Sequence, residues 1–280
     1  MLRRQISLWV FLSLLGTLAA QSAKPVPTII FTANINAALD DCGCSDSTVG
    51  GLNRLKTVVD SLYQLYPHAV VIDGGDMLTS YSQPALNQTV VNLLWLIPYH
   101  AIAVGDQELV EGWAFFQQAA TRLPLRIHNL LQLPEQSLSN LLKPLQVGNI
   151  AIAIITSPRS FEFIDAGKLR CIPVEAVAQQ PLPPVVILHG DLAEARLLAS
   201  ATVAPRVILV GHSQEFGIFH EGKTTLVAVG SEGEHVALVQ LQEKPPSQVR
   251  VTFVPVGRQV NPDPQINARI EQFYQSLQEH

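Results

Sequence analysis

The sequence predicts a layered α/β domain, and three observations support it. Short apolar runs rich in β-branched residues recur along the chain. They alternate with segments whose apolar residues return every three or four positions. The runs are continuously hydrophobic rather than alternating, as strands covered on both faces must be. A sandwich of strands alone or a helical bundle would not show both periods in alternation.

Taken in order, strands are expected at 28–35, 69–73, 101–104, 150–156, 185–189 and 207–211, and helices at 52–66, 88–96, 113–123 and 192–201. Beyond Gly211 the pattern tightens to alternation broken by turn residues (Gly217, Glu221-Gly222-Lys223, Ser231-Glu232-Gly233), which predicts antiparallel strands to about residue 256. A last helix starts from Asn261-Pro262-Asp263-Pro264, with Ile266, Ile270, Phe273, Tyr274 and Leu277 on its apolar face. The Pro-rich stretch 180–184 is read as a loop within one domain, because a strand follows at once.

With 280 residues, 48% hydrophobic and 15% charged, the chain can bury a large core. Its net charge of −5 and the lack of any Lys/Arg run give no field for a polyanion, so no nucleic-acid partner is expected. The start of the chain reads as a signal peptide over 1–23: Arg3 and Arg4, an apolar run over 6–20, then small residues at 20–23. The run is shorter than the ~20 residues of a membrane-spanning helix, so cleavage is expected, with no stable membrane span afterwards. That leaves a mature domain over 24–280 in the periplasm or outside the cell. Three cysteines are an odd number for an oxidising compartment and argue against a disulfide framework. Cys42 and Cys44 form a Cys-Gly-Cys triplet, and Cys171 stands in an apolar stretch suited to burial.

Polar residues gather where the predicted strands end, the position at which open α/β sheets bind ligands. Five loops share this property: Asn34-Ile35-Asn36, Asp73-Gly74-Gly75-Asp76, Gly105-Asp106-Gln107-Glu108, His189-Gly190-Asp191 and Gly211-His212-Ser213-Gln214. Any one of them is ordinary turn chemistry. Together, Asp76, Asp106, His189 and His212 supply from four strand ends the oxygen and nitrogen donors that Zn²⁺, Mn²⁺ or Fe²⁺ accepts.

The order of a strand, Gly50-Gly51-Leu52-x-Arg54, Gly75-Asp76, Gly105-Asp106-Gln107-Glu108, His189 and Gly211-His212-Ser213-Gln214 resembles the metallophosphoesterase (calcineurin-like) domain of the bacterial periplasmic 5′-nucleotidases, from about residue 28 to about 242. The resemblance implies a four-layer α/β/β/α sandwich of two mixed sheets. It also implies two metals bridged by Asp76, and hydrolysis of small phosphorylated molecules. Residue by residue, the chain departs from that pattern. The family's Asp-x-His is Asn34 and Asn36, the catalytic His of Gly-Asn-His-Glu is Gln107, the preceding Asn is Asp106, and the Asp that supports the His is Val110. Gln214 matches the Gly-His-Ser-Gln form of the last motif.

One metal site (Asp76, Asp106, His189, His212) is therefore expected to be complete. The other (Asn34, Asn36, Gln214 and a share of Asp76) is expected to bind weakly or not at all, since neutral amides repay little of an ion's dehydration. Gln107 can hydrogen-bond a phosphate but cannot exchange a proton near neutral pH. Arg54 either reaches an anion at its helix N-terminus or makes a helix-surface salt bridge. Cys42 and Cys44 are read as a soft-metal site, a redox pair or a plain turn. His68, His100, His128, His220, His235 and His280 fall outside the motifs and are read as structural or exposed.

The expected protein is exported, binds one divalent metal and has weak or absent phosphoesterase activity, with a protein partner in the envelope as a further role. An active metal-dependent phosphoester or nucleotide hydrolase and a thiol-redox or soft-metal protein are the alternatives. In the resembling nucleotidases a second, C-terminal domain binds the nucleoside, and no nucleotide-binding domain is expected within this sequence.

Overall fold

Hydrophobic runs without polar alternation form strands only where both faces are covered, and the computed structural model shows how the chain covers them. It describes residues 25–41, 49–129, 143–162, 164, 170–242 and 249–279. The signal peptide expected at 1–23 and the Cys42/Cys44 triplet lie outside these residues.

The described elements are β1 (Thr28–Thr32), α1 (Leu52–Leu65), β2 (Val70–Asp73), α2 (Pro84–Leu94), β3 (Ala101–Ala103), α3 (Trp113–Ala120), β4 (Leu125–Arg126), β5 (Leu145–Val147) and β6 (Ile150–Thr156). They continue with α4 (Val174–Val177), β7 (Val185–His189), α5 (Leu192–Ala199), β8 (Val207–Val210), β9 (Phe216–Glu221), β10 (Thr224–Val229), β11 (His235–Leu241), β12 (Val249–Pro255) and α6 (Pro264–Gln278). Two six-stranded mixed sheets result, ordered β12-β11-β1-β2-β3-β4 and β5-β6-β7-β8-β10-β9. In the first, β1 to β4 are parallel and β11 and β12 add antiparallel pairs at one margin; in the second, β6, β7, β8 and β10 are parallel between antiparallel pairs at both margins.

Three apolar clusters define four layers. Ile29, Phe31, Ile72, Ile154, Ile187 and Leu209 fill the space between the two sheets. The opposite face of the first sheet, with Ile30, Val71 and Ile102, packs against α1, α2 and α6. The opposite face of the second, with Ile155, Val186 and Ile208, packs against α4 and α5. Successive residues of one strand thus serve different layers, as Ile29 and Ile30 do, and the buried polar residues of β1, β2 and β6 (Thr28, Thr32, Asp73, Thr156) stand at strand ends. This is the expected α/β/β/α sandwich.

Local chemistry sets the helix starts. Asp263 caps α6 by accepting from the Ile266 N–H at 2.9 Å. Asp191 caps α5 in a capping box: it accepts from Glu194 N at 2.8 Å, while the Glu194 carboxylate accepts from Asp191 N at 3.2 Å. Pro84 at the first turn opens α2 four residues earlier than its apolar periodicity indicates. β1 ends at Thr32 rather than at 35, because Asn34, Asn36 and Ala37 take left-handed backbone conformations with φ of 52°, 52° and 59°.

One expectation needs correcting. The strands between Gly211 and 256 do not form one antiparallel run. β9 and β10 form a hairpin whose second strand joins β8 in parallel, whereas β11 and β12 form a hairpin on β1 in the other sheet. Alternation and turn residues specify hairpins but not which open sheet edge accepts each one. β4, β5 and α4 are too short to have shown a period.

Among the described residues no helix is long and apolar enough to cross a membrane. Ile187, fully buried between the sheets, tests the layering. Ile187→Ala should lower unfolding free energy by about 2–5 kcal/mol in urea titration, and a loss well below 1 kcal/mol would contradict a close-packed intersheet layer.

Candidate metal centre

The carboxyl ends of β1, β2, β3, β7 and β8 lie along one rim, and the polar loops read from the sequence sit on it. The β1 and β2 extensions stay paired past their strands: Asn34 N donates to Gly75 O at 2.9 Å, Asn36 N to Asp76 O at 2.8 Å and Ala37 N to Met77 O at 3.0 Å. Asp76 itself is left-handed, with φ 58°. That conformation, tolerated by Asp and Asn, turns its carboxylate off the strand axis toward the second sheet.

Asp76, Asp106, His189 and His212 converge so that one donor atom from each lies within 4.8 Å of the others. His189 Nε2 stands 3.6 Å from Asp76 Oδ1 and 3.6 Å from Asp106 Oδ1. These separations are too long for hydrogen bonds. They are close to the roughly 3.4 Å between neighbouring ligands around an ion bound at about 2.1 Å. Asp76 Oδ1, Asp106 Oδ1 and His189 Nε2 are all buried without a hydrogen-bond partner. A buried ligand atom left unpaired is costly, and an ion shared among the three removes the cost from all at once. The residues present therefore fit a divalent metal.

Further contacts aim the ligands. His189 Nδ1 lies 2.9 Å from the Gly74 carbonyl, which can only accept, so Nδ1 keeps a proton and Nε2, facing the carboxylates, is the nitrogen that offers a lone pair once the ring is neutral. His212 Nδ1 lies 2.6 Å from Asp76 Oδ2 and 3.8 Å from Asp106 Oδ1. Only small backbone permits this convergence: a Cβ on Gly105 would fall 2.1 Å from His189 Nε2, and one on Gly211 would fall 2.0 Å from the Gly74 carbonyl oxygen. The glycines of these loops are thus required by close approach rather than by turning alone.

Glu108 was not singled out by the sequence reading, although it stands in the Gly105 loop. It is buried, accepts from Met77 N at 2.8 Å and Gly105 N at 2.7 Å, and lies 3.4 Å from Asp76 N. One carboxylate thereby joins the loops after β2 and β3 and fixes the spacing of Asp76 and Asp106. Burial, and then the charge of Asp76, push it up to about 7. The available signal was an acidic residue in a short turn otherwise destined for burial.

The other half of the rim is neutral. Asn34, Asn36, Gln107, Ser213 and Gln214, with Asp76 and His212, line a cavity of about 150 Å³. The Asn34 amide nitrogen donates to Ser213 O at 2.6 Å and Gly230 O at 2.9 Å. That of Asn36 donates to Asn34 O at 3.0 Å, and Gln107 Nε2 donates to Asn36 Oδ1 at 3.0 Å. The amide nitrogens of Asn34, Asn36 and Gln107 are committed to one another and to backbone, whereas the carbonyl oxygens of Asn34 and Gln107 are buried without a partner but carry no charge to offer a cation. Arg54, half-buried on the first turn of α1, is not among the residues lining the cavity.

Electrostatics follow from the same geometry. Burial disfavours a charged His189, but Asp76, Asp106 and Glu108 outweigh it and raise the imidazole to about 9. The hydrogen bond to Asp76 leads in raising His212. Burial pushes Asp106 up, yet the two imidazoles hold it below the usual carboxylate range. Elsewhere, His100 Nδ1 accepts from Val71 N and His128 Nδ1 from Ile154 N, both at 3.1 Å, which are structural roles. Burial pushes the Cys171 thiol up to about 12, so it supplies no thiolate near neutral pH.

No protein-family model matches this sequence, and no curated protein sequence is similar to it. The fold has well-matched solved structures. The sulfate thiohydrolase SoxB from Thermus thermophilus aligns with a TM-score of 0.73 and 15% identity over 92% of this chain and 62% of that one. The 5′-nucleotidase precursor from Thermus thermophilus aligns with a TM-score of 0.70 and 18% identity, over 91% and 59%. The calcineurin-like phosphoesterase YfkN from Bacillus subtilis aligns with a TM-score of 0.65 and 15% identity, over 89% and 97%. At these identities the likeness is one of fold, and the chain spans about three-fifths of the first two.

Two outcomes test the centre. Because metal-free His189 holds its proton up to about pH 9, a cation must displace that proton to bind. Affinity for Zn²⁺ or Mn²⁺ should rise at least about tenfold per pH unit toward pH 9 and flatten above it, with one proton or more released per ion in calorimetry, because His212 is raised as well. A pH-independent affinity between 6 and 8 would exclude His189 as a ligand. Gly105→Ala, which drives a methyl into His189, should remove metal binding while the circular dichroism of the fold persists.

Proposed function

We propose that this chain, which has the 5′-nucleotidase-like metallophosphoesterase fold, binds one divalent ion of the Zn²⁺, Mn²⁺ or Fe²⁺ class and hydrolyses phosphoesters weakly or not at all. Asp76, Asp106, His189 and His212 are the ligands in this reading, supported by three buried donor atoms that point at one another unpaired. Bound there, such an ion supplies Lewis acidity toward a phosphoryl oxygen.

The observation that carries the catalytic half is the amide network. Efficient hydrolysis by two ions needs charged ligands on both and a group that moves a proton to the leaving oxygen. Here Asn34, Asn36 and Gln214 occupy the second set of positions, and Gln107 stands where a proton would be exchanged. Gln107 can donate a hydrogen bond to a ligand oxygen from its amide. It has no proton to give up near neutral pH, a loss worth about 10²–10⁴ in rate. Glu108 holds the loops and is fully engaged by backbone N–H groups, so it does not replace that function.

The role consistent with these residues is binding. The 5′-nucleotidase and phosphoesterase neighbours support a small phosphorylated molecule as the ligand class, and the leader-like residues 1–23 support export to the periplasm or beyond, where an envelope protein is a second candidate partner.

Metal analysis of the purified protein should give one equivalent, falling to none with Asp106→Asn. Two equivalents, or rapid turnover of a phosphodiester abolished by His189→Ala, would overturn the proposal. Restoring the charged pattern with Asn34→Asp, Asn36→His and Gln107→His together should add a second equivalent and raise phosphoester turnover by about 10²-fold or more.

A further inference from the structure

Three cavities that share lining residues lie in succession between the candidate metal centre and the C-terminal helix. Asn36, Gln107 and Gln214 line the inner cavity and also a second one of about 440 Å³, whose far wall is Thr79, Ser80 and Tyr81. Gln83 and Leu86 line the second and also a third, again about 440 Å³, completed by Ala37, Leu39, Phe273, Tyr274 and Leu277. The chemistry changes along this path from carboxylate and imidazole, through neutral amide and hydroxyl, to hydrocarbon. None of the described residues lining the three is Lys or Arg, so an anion finds a counter-charge only at the metal end.

Helix α6 accounts for the apolar end. Ile266, Ile270, Phe273 and Leu277 follow helical spacing along one stripe. The stripe's first half is core, with Ile266 0% and Ile270 2% exposed, whereas Tyr274 and Leu277 are 39% and 56% exposed. A stripe that runs off the core into water is unfavourable unless something covers it. The Tyr274 hydroxyl donates to Asp40 Oδ1 at 3.1 Å, which holds that end of the helix beside the loop after β1. The uncovered half of the stripe therefore forms one wall of a groove that opens into the same cleft as the metal centre.

We propose that the site takes an amphiphilic phosphate ester. Its anionic head lies at the metal centre, its neutral hydrogen-bonding middle along Gln107, Gln214 and Thr79 to Tyr81, and its aliphatic tail in the groove between α2 and α6. This rests on the one-metal reading above, because without an ion the head would meet the carboxylates of Asp76 and Asp106 with only the two imidazoles to offset them. A short ester leaves the groove wet and gains nothing from it.

The test is a binding series on the Mn²⁺-loaded protein, with alkyl phosphates from ethyl to dodecyl, each below its micelle concentration. Affinity should change little while the chain spans only the polar middle, then climb about three- to fourfold per methylene as the tail enters the groove until it is filled. Leu277→Glu, at an exposed position that leaves the core untouched, should weaken dodecyl phosphate by about tenfold or more and leave ethyl phosphate unchanged. Asp106→Asn should weaken every member. An affinity independent of chain length, or a Leu277→Glu effect equal across the series, overturns the proposal. So does Leu277-dependent binding to phosphatidylcholine vesicles that ignores Asp106, since the groove would then be a membrane dock. Metal content measured on the same samples separates the two readings. A protein without metal that keeps the chain-length slope loses the metal assignment and the phosphate head, whereas a one-metal protein with a flat series loses only the amphiphile.

Discussion

Three buried donor atoms that cannot satisfy one another set the terms for this structure. Asp76 Oδ1, Asp106 Oδ1 and His189 Nε2 come from the first sheet and from the second, and they sit at 3.6 Å where hydrogen bonding fails and shared coordination succeeds. The layers must bring two sheets close enough for this, which is why the backbones of Gly74 and Gly211 touch and why no side chain fits on Gly105. The intersheet core below that rim is built mainly of close-packed apolar side chains, so the candidate ligands stand on a rigid floor. Glu108 completes the arrangement by tying two ligand loops together through backbone N–H groups.

Charge is distributed unevenly across the rim. One half gathers two carboxylates and two imidazoles. The other is a chain of amides whose N–H groups are taken up by backbone carbonyls and by each other. The nitrogens of Asn34, Asn36 and Gln107 are held by protein acceptors, while the oxygens of Asn34 and Gln107 stay buried and unpaired. A single divalent ion would nearly neutralise the carboxylates of the first half, so an anion would be held there by direct coordination and not by surplus positive charge. The centre then offers anchorage to an anion more readily than it offers chemistry, and the rest of a ligand must be recognised by what lies beyond it.

What lies beyond is a graded surface rather than a charged one. The polar wall at Thr79, Ser80 and Tyr81 and the apolar wall of α6 adjoin because α2 starts at Pro84, directly after the cleft, and packs against the C-terminal helix. The same apolar stripe thus serves the core through Ile266 and Ile270 and the groove through Phe273 and Leu277.

The sequence by itself determined the elements and the rim. Continuous apolar runs can only be doubly covered strands, and β6 and β7 occupy the residues expected of them because period and burial are local properties of the chain. The polar residues at strand ends were legible for the same reason: Asp76, Asp106, His189 and His212 each follow or end a strand, whichever sheet receives it. Tertiary structure alone decided what depends on distance between segments. It placed the β9–β10 and β11–β12 hairpins in different sheets, a choice that turn chemistry does not encode. It turned Asp191 from a rim residue into a helix cap and Glu108 into a clamp. It oriented the amides of Asn34, Asn36 and Gln107 through partners far away in sequence, and it joined the rim to the α6 groove. Periodicity reports which face of a segment is buried, but only packing brings one buried face against another.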